Sequence, residues 1–581
     1  MPDGTERRMK GLGLSPGVAI GPARVQVEAV FRARETTTPT ASQTDPEKEK
    51  LRFHKALEVS LSDVRSICEK VREDNPKEAA ILEVQEMFLQ DPDMVARTEK
   101  NLAKGLSAEA AVRECSDFYL SKIAKSKSAR NAPDVRDVVS RVLHNLDGSL
   151  YHASDENGII VARELAPSLA ATLSAGSIKG WVTEHGGETD HAALLAQAQD
   201  LPAVSGIPGL LIHVSDGDLI VIDGTEGVII TNPTEETLAF YKQRLAVQEA
   251  EKRELLAFAS KKAQTKDGKE ITLLANIAIP AGAKAAFKGG AEGIGLYRTE
   301  YLYLNQRELP SEEEQFEAYS QVVRAAAGKP VTIRTMDLGG DKATILFGKQ
   351  HESNPFLGWR ALRICLDQPD VFRTQLRAIL RAANYGQVRI MFPMVTTVEE
   401  FRHAKSLLLE AKAELTARGE KVPEYIPCGM MVEIPAAALM AEHFAPFVDF
   451  FSIGTNDLTQ YTMAADRSND KVAKLYDAIA PSVLRLVDLT VRAAKGAPKP
   501  IPVCSCGKAA GRPEAALLFL GLGVNELSMP VKAQGKMKKA LLSFDFAECE
   551  NAARGIITAP NFETYKQRRA EWLARFQKQD E

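Results

Sequence analysis

VDFFSIGTND, residues 448–457, is an apolar run that ends abruptly in Asn456 and Asp457. It reads as a buried strand whose end carries polar chemistry. Working outward, the same texture recurs in ITLLAN (271–276), GIGLYR (293–298), VTIRTMD (331–337), VRIMFPM (388–394), GMMVEI (429–434), IPVCSC (501–506) and VNELSM (524–529). Helix-like stretches separate these runs. Strands alternating with helices argue for a parallel sheet. Eight such units in the second half of the chain fit a closed (β/α)8 barrel.

The rest of the chain has other textures. Residues 11–26 are Gly-rich and β-like, and residues 46–146 are almost wholly helical. Phe53, Leu57, Leu61, Val64, Ile67 and Val71 recur at steps of three and four, so they share one helical face. Further helical runs cover 77–90, 92–104, 107–126 and 133–146, which pack most simply as an antiparallel bundle. By itself this block reads as structural, with docking as the sharper alternative. Residues 147–230 return to short strands, GIIVA, KGWVT, PAVSG, DLIVID and GVIIT, with helices between them. If 11–26 completes their sheet, the helical block is an insertion. Residues 234–263 form a long charged helical connection.

Composition excludes several classes. At roughly 150 residues per domain, 581 residues suggest about four domains. Charged residues are 26% and the net charge is −4, which gives no basic surplus for nucleic acid. No apolar run reaches the roughly 18 residues of a membrane span. Met1–Lys10 is polar and no signal-peptide core follows it. Seven scattered cysteines form no disulfide framework, so a reducing cytoplasm is expected. No period of 20–50 residues repeats, which excludes a solenoid.

In a parallel barrel the site lies at the C-terminal strand ends. There the sequence places Asn276, Arg298, Arg334, Asp337, Glu433, Asn456, Asp457 and Cys506, with Arg467 beyond the sixth strand. Any one of these is ordinarily a surface ion pair. Arg298, Arg334 and Arg467 are fixed cations with forked donors suited to phosphate and carboxylate. Glu433 and Asp457 are hard oxygen ligands suited to Mg²⁺ shared with a phosphate. Together they describe a pocket for a small phosphorylated anion. A second centre is TEHGGETDHAALLAQAQDLPAVSG, residues 183–206. Gly186 and Gly187 open a turn, Thr189 or Asp190 caps a helix over about 191–199, and His191 stands at its start. Free amides there favour a phosphoryl group, and histidine is a competent nucleophile. Taken alone, that histidine is more ordinarily a helix start without chemistry.

These residues carry a resemblance. GGETDHAALLAQAQDLPAVSG, GIGLYRTEYLYLN, VTIRTMDLGGDK, NPFLGWRALRI, RIMFPM, MVEIPAAALM, FFSIGTNDLTQYTMAADR, CSCGKAAG and LGLGVNELSMP are similar to motifs of the Enzyme I family. These are the phosphoenolpyruvate–protein phosphotransferases of the bacterial phosphotransferase system, within the PEP-utilising enzymes. The stretch DVRDVVSRVL resembles the end of the family's helical domain. The resemblance implies an α/β multidomain chain: a (β/α)8 barrel plus a swivelling α/β phosphohistidine domain with an inserted helical bundle. It sets residues 1–26 and 147–232 as the phosphohistidine domain and 27–146 as the docking domain for the carrier HPr. It makes 233–263 a linker helix and 264–581 the PEP-binding and dimerisation barrel.

The implied route takes phosphoenolpyruvate and Mg²⁺ (or Mn²⁺) in the barrel, passes the phosphoryl group to His191, then to a histidine of an HPr-like carrier. This is the first step of sugar transport by that system, in a cytoplasmic homodimer. By the resemblance Arg298, Arg334, Arg467, Asn456 and Asp457 bind substrate, Glu433 and Asp457 hold the metal, and Cys506 protonates the enolate. Cys504 points to the same side one layer deeper and reads as packing; Lys508 is expected to favour the Cys506 thiolate at rest.

The chain departs from the family's pattern at Glu188 and Asp190 around His191, at Gln197 where a basic residue is usual, at Lys508 after the Cys-Gly pair, and in an extra His185. These changes make the surroundings of His191 more acidic. Two other readings stand beside the transferase. One is a pyruvate–phosphate dikinase relative, which the want of an ATP-binding segment opposes. The other is a divergent paralogue that senses phosphoenolpyruvate and docks partners without relaying phosphate.

Overall fold

The structure is a computed structural model that describes residues 5–26, 45–72, 76–124, 132–147, 158–165, 178–187, 193, 196–197, 201–303, 308–339, 346–348, 352–467, 469 and 471–577. The chain divides into two compact units, Met1–Ala250 and Glu251–Glu581.

The first unit is built on a sheet of eight strands: β1 (Arg7–Lys10), β2 (Leu12–Ser15), β3 (Val18–Gln26), β4 (Ile159–Ala162), β5 (Gly180–Thr183), β6 (Ala203–Ser205), β7 (Leu219–Asp223) and β8 (Val228–Thr231). Their spatial order is β1-β8-β7-β3-β4-β5-β6-β2. β3 through β6 run parallel, and every residue of β4, β5 and β6 is buried. Continuous burial is what a central parallel strand covered on both faces requires. β3 pairs directly with β4, Ala23 opposite Ile159, although more than a hundred residues separate them in sequence. Those intervening residues include the helices, which are therefore an insertion between two neighbouring strands.

The inserted helices are α1 (Pro46–Arg72), α2 (Pro76–Leu89), α3 (Pro92–Leu102), α4 (Ala108–Ala124) and α5 (Ala132–Asp147). The first three begin with proline, whose fixed φ and missing N–H suit a first helical position. Asp91 caps α3 by accepting from the Asp93 N–H at 2.8 Å. Phe53 and Val64 of the α1 face are fully buried, with Leu57, Leu61 and Ile67 packed beside them. Glu49 ties α1 to the start of α4, accepting from the Ala108 N–H at 2.8 Å. A helix over Glu235–Ala259 then carries the chain from the first unit into the second.

The second unit is a closed barrel of eight parallel strands: β9 (Thr272–Ile277), β10 (Ile294–Arg298), β11 (Val331–Arg334), β12 (Val388–Phe392), β13 (Cys428–Val432), β14 (Phe451–Ile453), β15 (Val503–Ser505) and β16 (Glu526–Met529). All eight expected strand runs are present, several of them shorter than the apolar patterns. β11 stops at Arg334, three residues before Asp337. There the chain leaves the sheet, because the Met336 and Asp337 N–H groups turn to Gln375 Oε1 and Glu300 Oε1 at 2.9 and 3.0 Å. Inside the barrel, Leu274, Leu296, Met391, Met431, Phe450, Cys504 and Cys506 form a buried cluster. Nearer the N-terminal strand ends, Arg389 and Glu526 pair across the interior at 3.1 Å. The layered interior makes this barrel a packed core.

Two helices outside the barrel meet backbone to backbone. A Cβ on Gly521, in the helix Pro513–Leu522, would lie 2.2 Å from the Cys549 carbonyl oxygen of the helix Phe546–Ile557. Gly521→Ala should therefore destabilise the barrel unit by about 1–3 kcal/mol in denaturant unfolding. Gly496→Ala is the control: it ends a helix and a Cβ there meets nothing within 4 Å, so stability should stay within about 1 kcal/mol. Equal stability of the two variants would contradict the close approach.

Candidate active site

Six barrel strands deliver side chains to one rim. Arg298 and Arg334 are the last residues of β10 and β11, and their Cα atoms are register partners. Glu433 and Cys506 stand one residue beyond β13 and β15. Asn456 and Asp457 lie in the first turn of the helix Thr455–Met463, which starts two residues after β14. Arg467 follows that helix. Asn276, near the end of β9, faces the same rim.

Charges meet there in a chain. Arg334 pairs with Glu300 at 3.0 Å and with Asp337 at 2.9 Å. Arg360 binds both oxygens of Asp337 through Nη2, at 2.8 and 3.1 Å, and reaches Asp457 Oδ1 through Nη1 at 3.1 Å. Arg467 approaches Asp457 Oδ2 at 3.4 Å. Burial disfavours the charge of Asp337, but Arg334, Arg360 and Arg467 hold its carboxyl below the ordinary range. Glu433 is the opposite case. Burial, then Asp457 and Asp337, push its carboxyl well above the ordinary range. Its Oε1 accepts from the Met394 N–H at 2.7 Å, and among the described residues its Oε2 has no donor.

Arg298 stands apart. Among the described residues it has neither a hydrogen-bond nor an ion-pair partner. Burial and the neighbouring Arg334 guanidinium both work against its charge, so its pKa falls. A buried cation beside another cation is costly unless an anion joins them. Two forked guanidinium groups side by side are suited to an anion.

A divalent cation fits the other side. Glu433 and Asp457 are hard oxygen donors, and the crowding of carboxylates that raises Glu433 would be relieved by positive charge. Among the described residues no three His, Cys, Asp or Glu side chains converge as a metal cage. A cation here would keep ligands for water and substrate, as Mg²⁺ does.

Two expected residues are engaged in scaffolding. Asn276 Nδ2 donates to the Cys506 carbonyl at 2.9 Å while its Oδ1 accepts from Ser528 Oγ at 2.6 Å. Asn456 Oδ1 accepts from the Lys508 N–H at 2.9 Å, and its own carbonyl accepts from Tyr476 at 3.0 Å. Gly507 lets these loops meet: a Cβ there would fall 1.9 Å from Thr455 Oγ1.

The expectation for Lys508 is corrected. Its side chain is exposed, while the Cys506 sulfur is buried inside the barrel. Burial raises the Cys506 thiol above its ordinary value, and the cations acting against that are Arg334 and Arg298. The resting group is a thiol, and nearness in sequence to Lys508 does not reach it. Cys504 packs in the apolar layer below.

His191, Glu188 and Asp190 lie outside the described residues. The loop after β5 is fixed where Ser205 Oγ donates to the Gly186 carbonyl at 3.1 Å and accepts from Thr183 at 2.9 Å. Gln197 donates to the Leu14 carbonyl at 2.8 Å, so its amide is used within the unit. His185 is exposed.

Residues 252–546 match the family described as PEP-utilising enzyme, PEP-binding domain. Residues 154–227 match the mobile domain of PEP-utilising enzymes, and 10–130 their N-terminal domain. The chain is 40% identical over 580 residues to a phosphoenolpyruvate-protein phosphotransferase of Latilactobacillus sakei, spanning 98% of this chain and 99% of that one. It is 42% identical over 569 residues to one from a Bacillus species, spanning 94% and 97%. For one from Listeria innocua the identity is 41% over 553 residues, spanning 93% and 95%. The chain belongs to the phosphoenolpyruvate-protein phosphotransferase family.

Membership makes two residues absent from the expected site set conspicuous. Arg360 lies in the loop after β11 and Glu300 in the 3-10 turn Thr299–Leu302 directly after β10, and each contacts two charged or backbone groups of the rim. Both stand inside stretches that carry the family resemblance, NPFLGWRALRI and GIGLYRTEYLYLN, but neither is the residue that ends an apolar strand run.

The isolated charge of Arg298 generates a prediction. Arg298→Met should stabilise the chain in the absence of any anion, by about 1 kcal/mol in denaturant unfolding, because it removes a half-buried cation that lies beside the Arg334 guanidinium. The same variant should lose the stabilisation that phosphoenolpyruvate confers on the unsubstituted chain. A variant that is less stable without ligand would show that Arg298 is already paired.

Proposed function

We propose that the chain transfers the phosphoryl group of phosphoenolpyruvate to its own His191 and then to a histidine of an HPr-like carrier, releasing pyruvate. This is the first step of the sugar phosphotransferase system. The observation that carries the reading is Arg298: a half-buried guanidinium with no hydrogen-bond or ion-pair partner among the described residues, beside Arg334 and across the rim from Glu433 and Asp457. A phosphorylated carboxylate supplies the charge that such a rim lacks.

In this reading Arg298, Arg334 and Arg467 bind the anion, with Arg360 setting Asp457, and Asn456 and Asp457 complete the substrate contacts. Glu433 and Asp457 would hold Mg²⁺ or Mn²⁺, which when bound neutralises phosphate charge. Phosphoryl transfer is chiefly positioning and charge neutralisation, and the rim supplies both. The imidazole of His191 attacks phosphorus, and the bond from phosphorus to the enol oxygen breaks. The enolate carbon then takes the proton of the buried Cys506 thiol. Burial keeps that thiol protonated at rest, so the proton is in place for this step.

The inserted helices α1–α5 are proposed as the carrier-docking domain, 1–26 with 147–232 as the swivelling phosphohistidine domain, and 233–263 as the linker. Residues 264–581 are proposed as the barrel through which a homodimer forms. A cytoplasmic location accords with the absence, among the described residues, of a helix long and apolar enough to cross a membrane.

Incubation with ³²P-labelled phosphoenolpyruvate and Mg²⁺, followed by phosphopeptide mapping under alkaline conditions, tests the acceptor. Label should appear on the peptide holding His191 and vanish in His191→Ala. Label on His185, or undiminished label in His191→Ala, would refute the assignment. A chain that binds phosphoenolpyruvate without becoming labelled would be the non-relaying sensor instead.

A further inference from the structure

Cys506 is held at three points. Its N–H donates to the Ile453 carbonyl at 3.1 Å, and its own carbonyl accepts from Asn276 Nδ2 at 2.9 Å. These fix its backbone between β14 and β9. The third point is the sulfur. Ser452 Oγ donates to Cys506 Sγ at 3.2 Å. Ser452 lies in the middle of β14, register partner of Cys504, and is 1% exposed. The other polar group near the sulfur is the Ile453 carbonyl at 3.7 Å, which can only accept. The sulfur thus receives one hydrogen bond from Ser452 and at rest gives its own S–H to the Ile453 carbonyl, a long contact from which the proton turns toward the product carbon.

We propose, resting on the phosphotransferase reading, that Ser452 is a positioning residue for the proton transfer between Cys506 and the three-carbon product. Its hydroxyl fixes the sulfur and steadies the thiolate that remains when the proton has left. In the forward step the enolate π pair forms the new C–H bond with the S–H proton, and the S–H bond pair stays on sulfur. Solvent then returns a proton to the thiolate. In reverse the thiolate takes a methyl proton from pyruvate, and the C–H pair becomes the enolate. No oxidant or reductant enters.

The physical reason is differential. A hydrogen bond to an ionised acceptor is roughly twice as strong as one between neutral groups. The Ser452 bond therefore strengthens as charge develops on sulfur, which is the condition for an interaction to speed a step rather than merely bind. Burial opposes the thiolate at this position, and the opposition is met by Ser452, Arg334 and Arg298 together. Of these, Ser452 alone makes a hydrogen bond to the sulfur among the described residues.

Deuteration of the pyruvate methyl group in D₂O, followed by proton NMR with phosphorylated chain and Mg²⁺, tests the proposal. Ser452→Ala should lower the maximal exchange rate about tenfold, the worth of one charge-assisted hydrogen bond, with KM for pyruvate changed by less than about twofold. Labelling of His191 in a single turnover with phosphoenolpyruvate should proceed as in the unsubstituted chain, since that step precedes the protonation. Exchange at the unsubstituted rate would overturn the proposal. So would a parallel loss of labelling and exchange, which is what a merely structural serine would give. If the unsubstituted chain itself takes no label, the phosphotransferase reading fails instead, and the two failures are told apart.

Discussion

Arg360 reaches from the loop after the third barrel strand to two carboxylates, Asp337 just beyond the end of that same strand and Asp457 beyond the sixth. Through Asp337 it is linked to Arg334 and Glu300, and through Asp457 to Arg467. Each of these charges would be expensive to bury singly. Linked, they form one alternating network whose members neutralise one another. Two groups fall outside the network: Arg298, which has no ion-pair partner among the described residues, and Glu433, with an excess of neighbouring negative charge. They stand on different strands of the same rim, β10 and the end of β13.

Backbone strain gathers around the same rim. Ala361, next to Arg360, has φ of 53°, Met394, whose N–H binds Glu433, has 55°, and Ala464, just before Arg467, has 49°. Residues with side chains pay for this conformation, and the surrounding contacts must sustain it. Ala361 is held by its N–H on the Leu338 carbonyl at 2.8 Å. Strain here is spent on aiming Arg360 and the Glu433 partner, so rim geometry and local stability oppose each other.

Much of this was legible in the sequence, and the reasons differ by element. The eight barrel strands are legible because each apolar run is cut off by a polar or charged residue, as FFSIG is by Asn456 and Asp457. The helical insertion is legible because its period changes from two to about 3.6 between Gln26 and Phe53. Arg360 escaped because a loop residue has no period and no strand end to mark it. The Arg389–Glu526 pair escaped because it lies inside the barrel at the opposite end, where an apolar pattern is assumed. Lys508 misled because two residues along the chain can face different media: its side chain is exposed, whereas the Cys506 sulfur lies within the barrel.

The account makes the rim and the histidine parts of one reaction that releases pyruvate as the histidine is charged. The measurement that tests this most directly is a rapid-quench assay of pyruvate on mixing excess phosphoenolpyruvate and Mg²⁺ with the chain and no carrier present. The account predicts a burst of one pyruvate per chain that then stops, because His191 has nowhere to pass its phosphate. Continuous release of pyruvate without a carrier, or none at all, would contradict it.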